Sequence, residues 1–349
     1  MTRSRPEPPK VASIRQVGSA HAAQGDQWAL VGQDGGQSIR VGDRSLFVFS
    51  DTLLTDPRAG RRVTGPGGQR LSGIFLGNCA AWARDDSSLD EAMASLDYWS
   101  DDSGRPREIL HPTPLETACG VRLWPTHGIE VDGHVWLYYL GVQQLDPGSW
   151  GFTTVGSGLA RFDPDRGACE RVRHDDEWCL WPHLGGSLHV GGQVVRRDDH
   201  LFVFATLRDG AYVGARLARV PIDRIAVPEA YEYLVDHTPR WSPRIDDAID
   251  LGRCAAEISV VYNAYLDRWL MIYVDGFAKQ LCVRAAPEIW GPYGDETRID
   301  GLSCRPEVDF VALAFVHPQY SQNDGQTIFI SYCQPMFTQN TFLALTLRR

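Results

Sequence analysis

Five short runs of β-branched, aromatic and aliphatic residues punctuate the chain: Leu46-Phe-Val-Phe-Ser-Asp51, Trp136-Leu-Tyr-Tyr-Leu-Gly141, Leu201-Phe-Val-Phe-Ala-Thr206, Trp269-Leu-Met-Ile-Tyr-Val274 and Ile328-Phe-Ile-Ser-Tyr-Cys333. Their starts are 90, 65, 68 and 59 residues apart. Each follows a turn signal (Gly42-Asp43, Asp132-Gly133, Asp198-Asp199, Leu266-Asp267 or Asp324-Gly325) and, before that, another extended run. Turn residues between two such runs mark a hairpin, so each motif is expected to be a hairpin's second strand. A third strand follows in every unit, beginning at Cys79, Gly158, Arg216, Cys282 and Phe342. Five antiparallel units, with few helix-length periodic stretches between them, predict an all-β chain folded as a five-bladed β-propeller. Two separate β-sandwiches would leave the fivefold recurrence without a cause.

The segment Val11 to Val17 precedes the first hairpin and has no blade of its own. It is expected to supply the outer strand of the last blade, closing the ring so that no long sheet edge stays open. Residues 1–10 then read as a flexible tail and 11–349 as a single propeller domain, about 70 residues per blade. Asp85 to Leu110, rich in Asp and Ser, is the candidate for a helical insertion, and Arg58 to Arg70 for an exposed loop.

With 43% hydrophobic and 22% charged residues, the chain has the proportions of a folded soluble protein. Against 34 Lys and Arg stand 44 Asp and Glu, a net charge of −10, which argues against a protein that neutralises a phosphate backbone, so no nucleic-acid partner is expected. The longest apolar run is seven residues, Phe310 to Val316, far short of the roughly 20 needed to cross a bilayer, and no membrane partner is expected either. The N-terminus lacks the apolar stretch of a secretory signal, from which a cytoplasmic location is expected. Eight cysteines scattered at intervals of 10 to 75 residues form no C-x-x-C pair and are read as buried free thiols.

Candidate chemistry gathers at one mouth of the central channel, where the innermost strands begin. Placing the first turn at Gly42 to Ser45 pairs Val41 with Leu46, Ile39 with Val48 and Gly36 with Asp51, leaving Asp34 two residues beyond at the same end. Two carboxylates there suit glycosidic cleavage, which uses one protonated and one ionised carboxyl, and close carboxylates push their pKa values apart. Glu257, among apolar neighbours in the fourth unit, has two open fates: a buried partner of an arginine, or an acid of raised pKa. Trp124 and His127 in the second unit, and Trp181 and His183 in the third, share a Trp-Pro motif. The tryptophans can stack on sugar rings while the histidines bond hydroxyls, or they can pack between blades. His317, before Pro318, is a further channel candidate. These histidines lack the dense clustering of metal ligands, so neither metal nor cofactor is expected.

With these residues in place a resemblance emerges. Gly32-Gln-Asp34-Gly-Gly-Gln-Ser38, followed by Leu46-Phe-Val-Phe-Ser-Asp51-Thr52, resembles the opening D-G-x-x-S … L-W-x-F-G-D-T signature of a family of five-bladed propellers, once of unknown function, that includes the endo-D-arabinanases of glycoside hydrolase family 183. Val261-Tyr-Asn-x-Tyr-Leu-x-Arg-Trp269, Trp290-Gly-Pro292 and His317-Pro318 are similar to later elements of that family, so the resemblance spans nearly the whole chain. Ser50 stands where the family usually has Gly. The resemblance implies a glycan-acting hydrolase whose aspartate pair maps onto Asp34 and Asp51. The expected substrate is a furanoside or arabinan-type glycan or glycoconjugate. A cytoplasmic tailoring enzyme acting on a small biosynthetic intermediate, and a non-catalytic sugar-binding propeller, are the alternatives.

Overall fold

The computed structural model describes residues 6–19, 28–56, 62–64, 70–84, 88–145, 151–174, 177–182, 187–304, 310–334 and 340–349. Five antiparallel sheets stand around one axis as a five-bladed β-propeller. The innermost strands are Ala29–Val41, Val121–Val131, Ser187–Arg197, Ser259–Asn263 and Ala312–Val316. Each touches the next, and the fifth returns to the first. The second strands, Arg44–Thr55, His134–Gln144, His200–Asp209, Arg268–Asp275 and Thr327–Cys333, contain the five repeated runs.

Those runs are mostly apolar because both faces of a blade are buried. Along the fourth blade's second strand, Leu270, Ile272 and Val274 pack toward the fifth blade, while Trp269, Met271 and Tyr273 pack toward the third. A period of two is still present, but neither phase is polar. Each interface between blades has its own apolar cluster of this kind. Truncating one such side chain, as in Leu270→Ala, should cost about 2–5 kcal/mol through lost burial and the cavity left behind.

The ring closes as expected. Strand Lys10–Ser19 pairs antiparallel with Thr341–Arg348, Ile14 opposite Leu345, as the outer strand of the fifth blade. Residues 6–9 lead into it, and the Pro9 carbonyl accepts a hydrogen bond from Thr297 Oγ1 at 3.1 Å. The stretch after the first blade's third strand holds one short helix, Leu89–Ala94, and a second, Pro114–Ala118, follows it. Among the described residues no helix is long and apolar enough to cross a membrane.

The first hairpin departs from the expected register by two residues. Val41 pairs with Arg44, Ile39 with Leu46 and Gln37 with Val48. Gly42, at φ +60°, takes the first central position of a two-residue turn, tighter than the four-residue turn expected. Irregular steps between Gln33 and Gly35, and between Gly35 and Gln37, then absorb extra residues, so that Gln33 faces Thr52 while Gly35 faces Phe49. Asp34 sits in that bulge, across from the Ser50–Asp51 step.

Candidate active site

The bulge is a product of local sequence. Gly35 and Gly36 have φ values of +87° and +99°, a region costly for other residues. A Cβ on Gly36 would also lie 2.8 Å from Asn340 Nδ2, and that amide donates to the Gly35 carbonyl at 3.0 Å. Behind the bulge, Tyr98 donates its hydroxyl to Gln33 Oε1 at 3.0 Å, and Gln33 Nε2 reaches Cys79 Sγ at 3.1 Å and Thr52 Oγ1 at 3.4 Å. This buried network fixes the residues on either side of Asp34 and Asp51.

Asp34 keeps some exposed surface while its carboxyl is packed among protein groups. Its only hydrogen-bond donor among the described residues is the thiol of Cys333, with Sγ 2.9 Å from Oδ1. Burial raises the Asp34 pKa, and the thiol's bond works against that rise.

Both oxygens of Asp51 are held from the second blade's innermost strand. The indole N–H of Trp124 donates to Oδ1 at 2.7 Å, and Arg122 Nη1 lies 3.3 Å from Oδ2. Arg122 and Trp124 are two residues apart on one strand, hence on one face. Arg122 is itself fixed by Nη2 donating to Gln144 Oε1 at 2.7 Å and by the Phe75 ring, 4.7 Å beneath its guanidinium. Burial pushes Asp51 up to about 7; Arg122 opposes this, the Asp34 charge adds to it, and Trp124 opposes it.

Glu257 lies in a bend just before the fourth blade's innermost strand. Of its two open fates, the buried ion pair is not the one found: no ion pair among the described residues includes it. Burial raises it to about 7, its own backbone N–H and the exposed Arg208 pull it down, and Asp34 pushes it up. Thr206 Oγ1 donates to the Ala256 carbonyl at 2.8 Å, anchoring the residue before it. The structure thus brings Asp34, Asp51 and Glu257 into one electrostatic unit, in which the Asp34 charge acts on both of the others.

Of the remaining candidates, Trp124 joins the acids and the other described ones do not. Trp124 is committed to Asp51 and meets the Phe152 ring edge-on at 5.3 Å. Trp181 is buried in the core against Tyr138 and Tyr231, its N–H donating to Tyr233 at 3.1 Å, so it offers no face to a sugar. That correction has a plain cause: indole is large and apolar, and its single donor finds a buried phenol. His183 lies outside the described residues. His127 receives the Val194 N–H at Nδ1, 3.3 Å, with the Gln193 amide 3.0 Å from Nε2, and burial lowers it to about 4. His317 is fully buried in the channel, bridging Ser38 at 2.7 Å and Ser331 at 2.9 Å, and burial lowers it to about 3. Neutral and enclosed, it ties the first blade to the fifth and does not reach the mouth. Among the described residues no group of three or more His, Cys, Asp or Glu is arranged to hold a metal.

Arg122 and Cys333 are site residues that the sequence alone did not single out. Cys333 left a trace: it ends the fifth copy of the repeat at the step where Asp51 ends the first. Arg122 left a weaker one, sharing a strand face with Trp124.

Comparison with solved structures reaches the same architecture. A protein of Bacteroides ovatus ATCC 8483 named a "putative hydrolase" superposes with a TM-score of 0.63 at 15% identity, over 90% of this chain and 85% of that one. The α-L-arabinofuranosidase PaAbf62A of Podospora anserina gives 0.51 at 9% identity, over 97% and 98%. The family 117 glycoside hydrolase Zg3597 of the marine bacterium Zobellia galactanivorans gives 0.51 at 10%, over 98% and 91%. At these identities the likeness is one of fold. No curated protein matches the sequence. A family model matches residues 20–339, a span that includes the Asp34 bulge, Asp51, Glu257 and the Cys333 contact, and the chain therefore belongs to the family described as a domain of unknown function, DUF4185.

Proposed function

We propose that this chain is a glycoside hydrolase acting on a furanoside or arabinan-type glycan or glycoconjugate, through Asp34, Asp51 and Glu257 at one mouth of a single propeller domain spanning residues 11–349. One feature supports the reading: burial raises both Asp51 and Glu257 to about 7, and the Asp34 charge adds to each rise. A carboxyl poised near neutrality can hold a proton for a leaving group and take one back, which general acid–base catalysis requires. The resemblance of the Asp34 and Asp51 motifs to the endo-D-arabinanase family supports the same substrate class. So does the fold shared with PaAbf62A, an α-L-arabinofuranosidase by name.

In this assignment Asp34 is the base or nucleophile. Asp34 keeps part of its surface exposed, and a carboxylate held by one thiol keeps free lone pairs for water or for the anomeric carbon. Asp51 is the acid/base: Arg122 and Trp124 stabilise its ionised form and burial favours its protonated form, so a small change in its surroundings moves the proton. Glu257 supports the pair by sharing negative charge with Asp34, which favours a proton somewhere in the group. Among the described residues Asp34 is not neutralised by any arginine, a feature that favours catalysis over a purely sugar-binding role.

The test is hydrolysis of arabinofuranosyl oligosaccharides by the full chain. Asp34→Asn and Asp51→Asn should each abolish turnover while leaving the protein folded. Retained activity in both variants would overturn the assignment.

A further inference from the structure

Cys333 ends the second strand of the fifth blade and reaches across the ring closure to the first blade. Its single S–H proton has three acceptors within range: Asp34 Oδ1 at 2.9 Å, the Gln334 carbonyl at 3.5 Å and the Gln33 carbonyl at 3.9 Å. The carboxylate is both the nearest and the charged acceptor, so it accepts the thiol's hydrogen bond. Cys333 is buried, at 1% exposure, out of reach of bulk solvent. Burial and the adjacent Asp34 raise its pKa well above that of a free thiol, so it stays a neutral donor rather than a thiolate nucleophile.

We infer that Cys333 is a positioning residue for Asp34: its thiol holds Oδ1 and thereby orients the carboxylate and sets how basic it is. The inference rests on Asp34 acting as base or nucleophile. A thiol suits that task because it is a weak donor. It can fix the orientation of a carboxylate without drawing off as much of its basicity as a hydroxyl or an N–H would. A serine at the same place would anchor Asp34 more strongly and leave it a poorer base. An alanine would leave it without a donor among the described residues. No other acid of the trio is held this way, since Asp51 has an arginine and an indole.

Two measurements test this. The first is the pH profile of kcat on arabinofuranosyl oligosaccharides. Activity needs ionised Asp34 and falls as pH drops through its pKa, so the acid limb reports that residue. Cys333→Ala should move the limb upward by about one pH unit, the effect of losing a hydrogen bond to a charged group, and Cys333→Ser should move it downward. A purely structural thiol would change the thermal midpoint and leave the limb in place. The second is the infrared S–H stretch of the intact wild-type protein, identified by its loss in Cys333→Ala. It should shift to higher frequency in Asp34→Asn, where the acceptor is no longer charged. Unmoved limbs in both Cys333 variants, or an S–H band indifferent to Asp34→Asn, would overturn the inference while an inactive Asp34→Asn left the functional reading standing. Full activity in Asp34→Asn would bring down that reading and the inference with it.

Discussion

The indole N–H of Trp124 donates to Asp51 Oδ1 at 2.7 Å while Arg122 faces Oδ2 at 3.3 Å, so one strand of the second blade grips both oxygens of an acid on the first. Trp124→Phe keeps a ring against Phe152 but removes the donor. Asp51, already at about 7, should titrate higher, since the lost bond favoured the ionised form. If Asp51 is the proton donor, the alkaline limb of kcat should move up by about one unit. An alkaline limb unchanged in Trp124→Phe would detach Asp51 from that limb.

Glu257 ties stability to pH in a definite direction. Its pKa of about 7 in the folded protein lies above the ordinary glutamate value of 4.5, so between these the folded state binds more protons than the unfolded. Stability therefore falls as pH rises from about 4.5 through 7. Glu257→Gln removes this dependence, and its thermal midpoint should exceed that of wild type at pH 8 by more than at pH 5. Equal differences at the two pH values would mean that the carboxyl is not buried as described.

His317 works in the opposite sense. Its neutral form is held between Ser38 and Ser331, and its pKa near 3 lies below the ordinary 6.5, so the unfolded state binds more protons between these values. Stability is lost as pH falls from 6.5 toward 3. His317→Gln should flatten this acid slope at a cost of roughly 1–3 kcal/mol near neutrality, from imperfect replacement of two buried hydrogen bonds. Denaturation by urea across that pH range measures both effects.

Removal of residues 6–19 takes away the outer strand of the fifth blade and uncovers the edge of Thr341–Arg348. An open edge of that length pairs with other chains. The truncated protein should unfold at lower temperature and form larger species in size-exclusion chromatography. A monomeric profile with an unchanged midpoint would show that the strand adds nothing to closure.

The propeller was legible because its signal is repeated. One apolar run flanked by turn residues can be read in several ways, but five in order leave little choice, and the closing strand followed from the need to cover an edge. The site was legible in part. Asp34, Asp51 and Glu257 stood out because a carboxylate near an apolar run is costly unless it has a task or a partner. The register of the Asp34–Asp51 hairpin differs by two residues from the expected one, since Gly42 permits a tighter turn than composition indicates; the irregular steps on either side of Gly35 cancel each other and leave that difference in place. The helix Pro114–Ala118 was missed although Thr113 and Glu116 form a capping box, because five residues are too few to show a period. Arg122 and Cys333 escaped because their roles depend on contacts 71 and 299 positions away along the chain, which no local pattern encodes.

Five hairpins end their repeated run at the same step, and that step is occupied by Asp51, Gly141, Thr206, Val274 and Cys333. The first is an acid, the third holds the Ala256 carbonyl, the fourth is core and the fifth grips Asp34. At the second, an added Cβ would stand 2.6 Å from Val155 Cγ2. A ring of identical blades would look the same to a ligand from every side and could not orient it. Here the backbone repeats while the chemistry at this step does not, and the negative charge gathers on the arc running from the fourth blade to the first. The three acids therefore lie to one side of the ring axis, a polarity that the repeated backbone does not impose by itself.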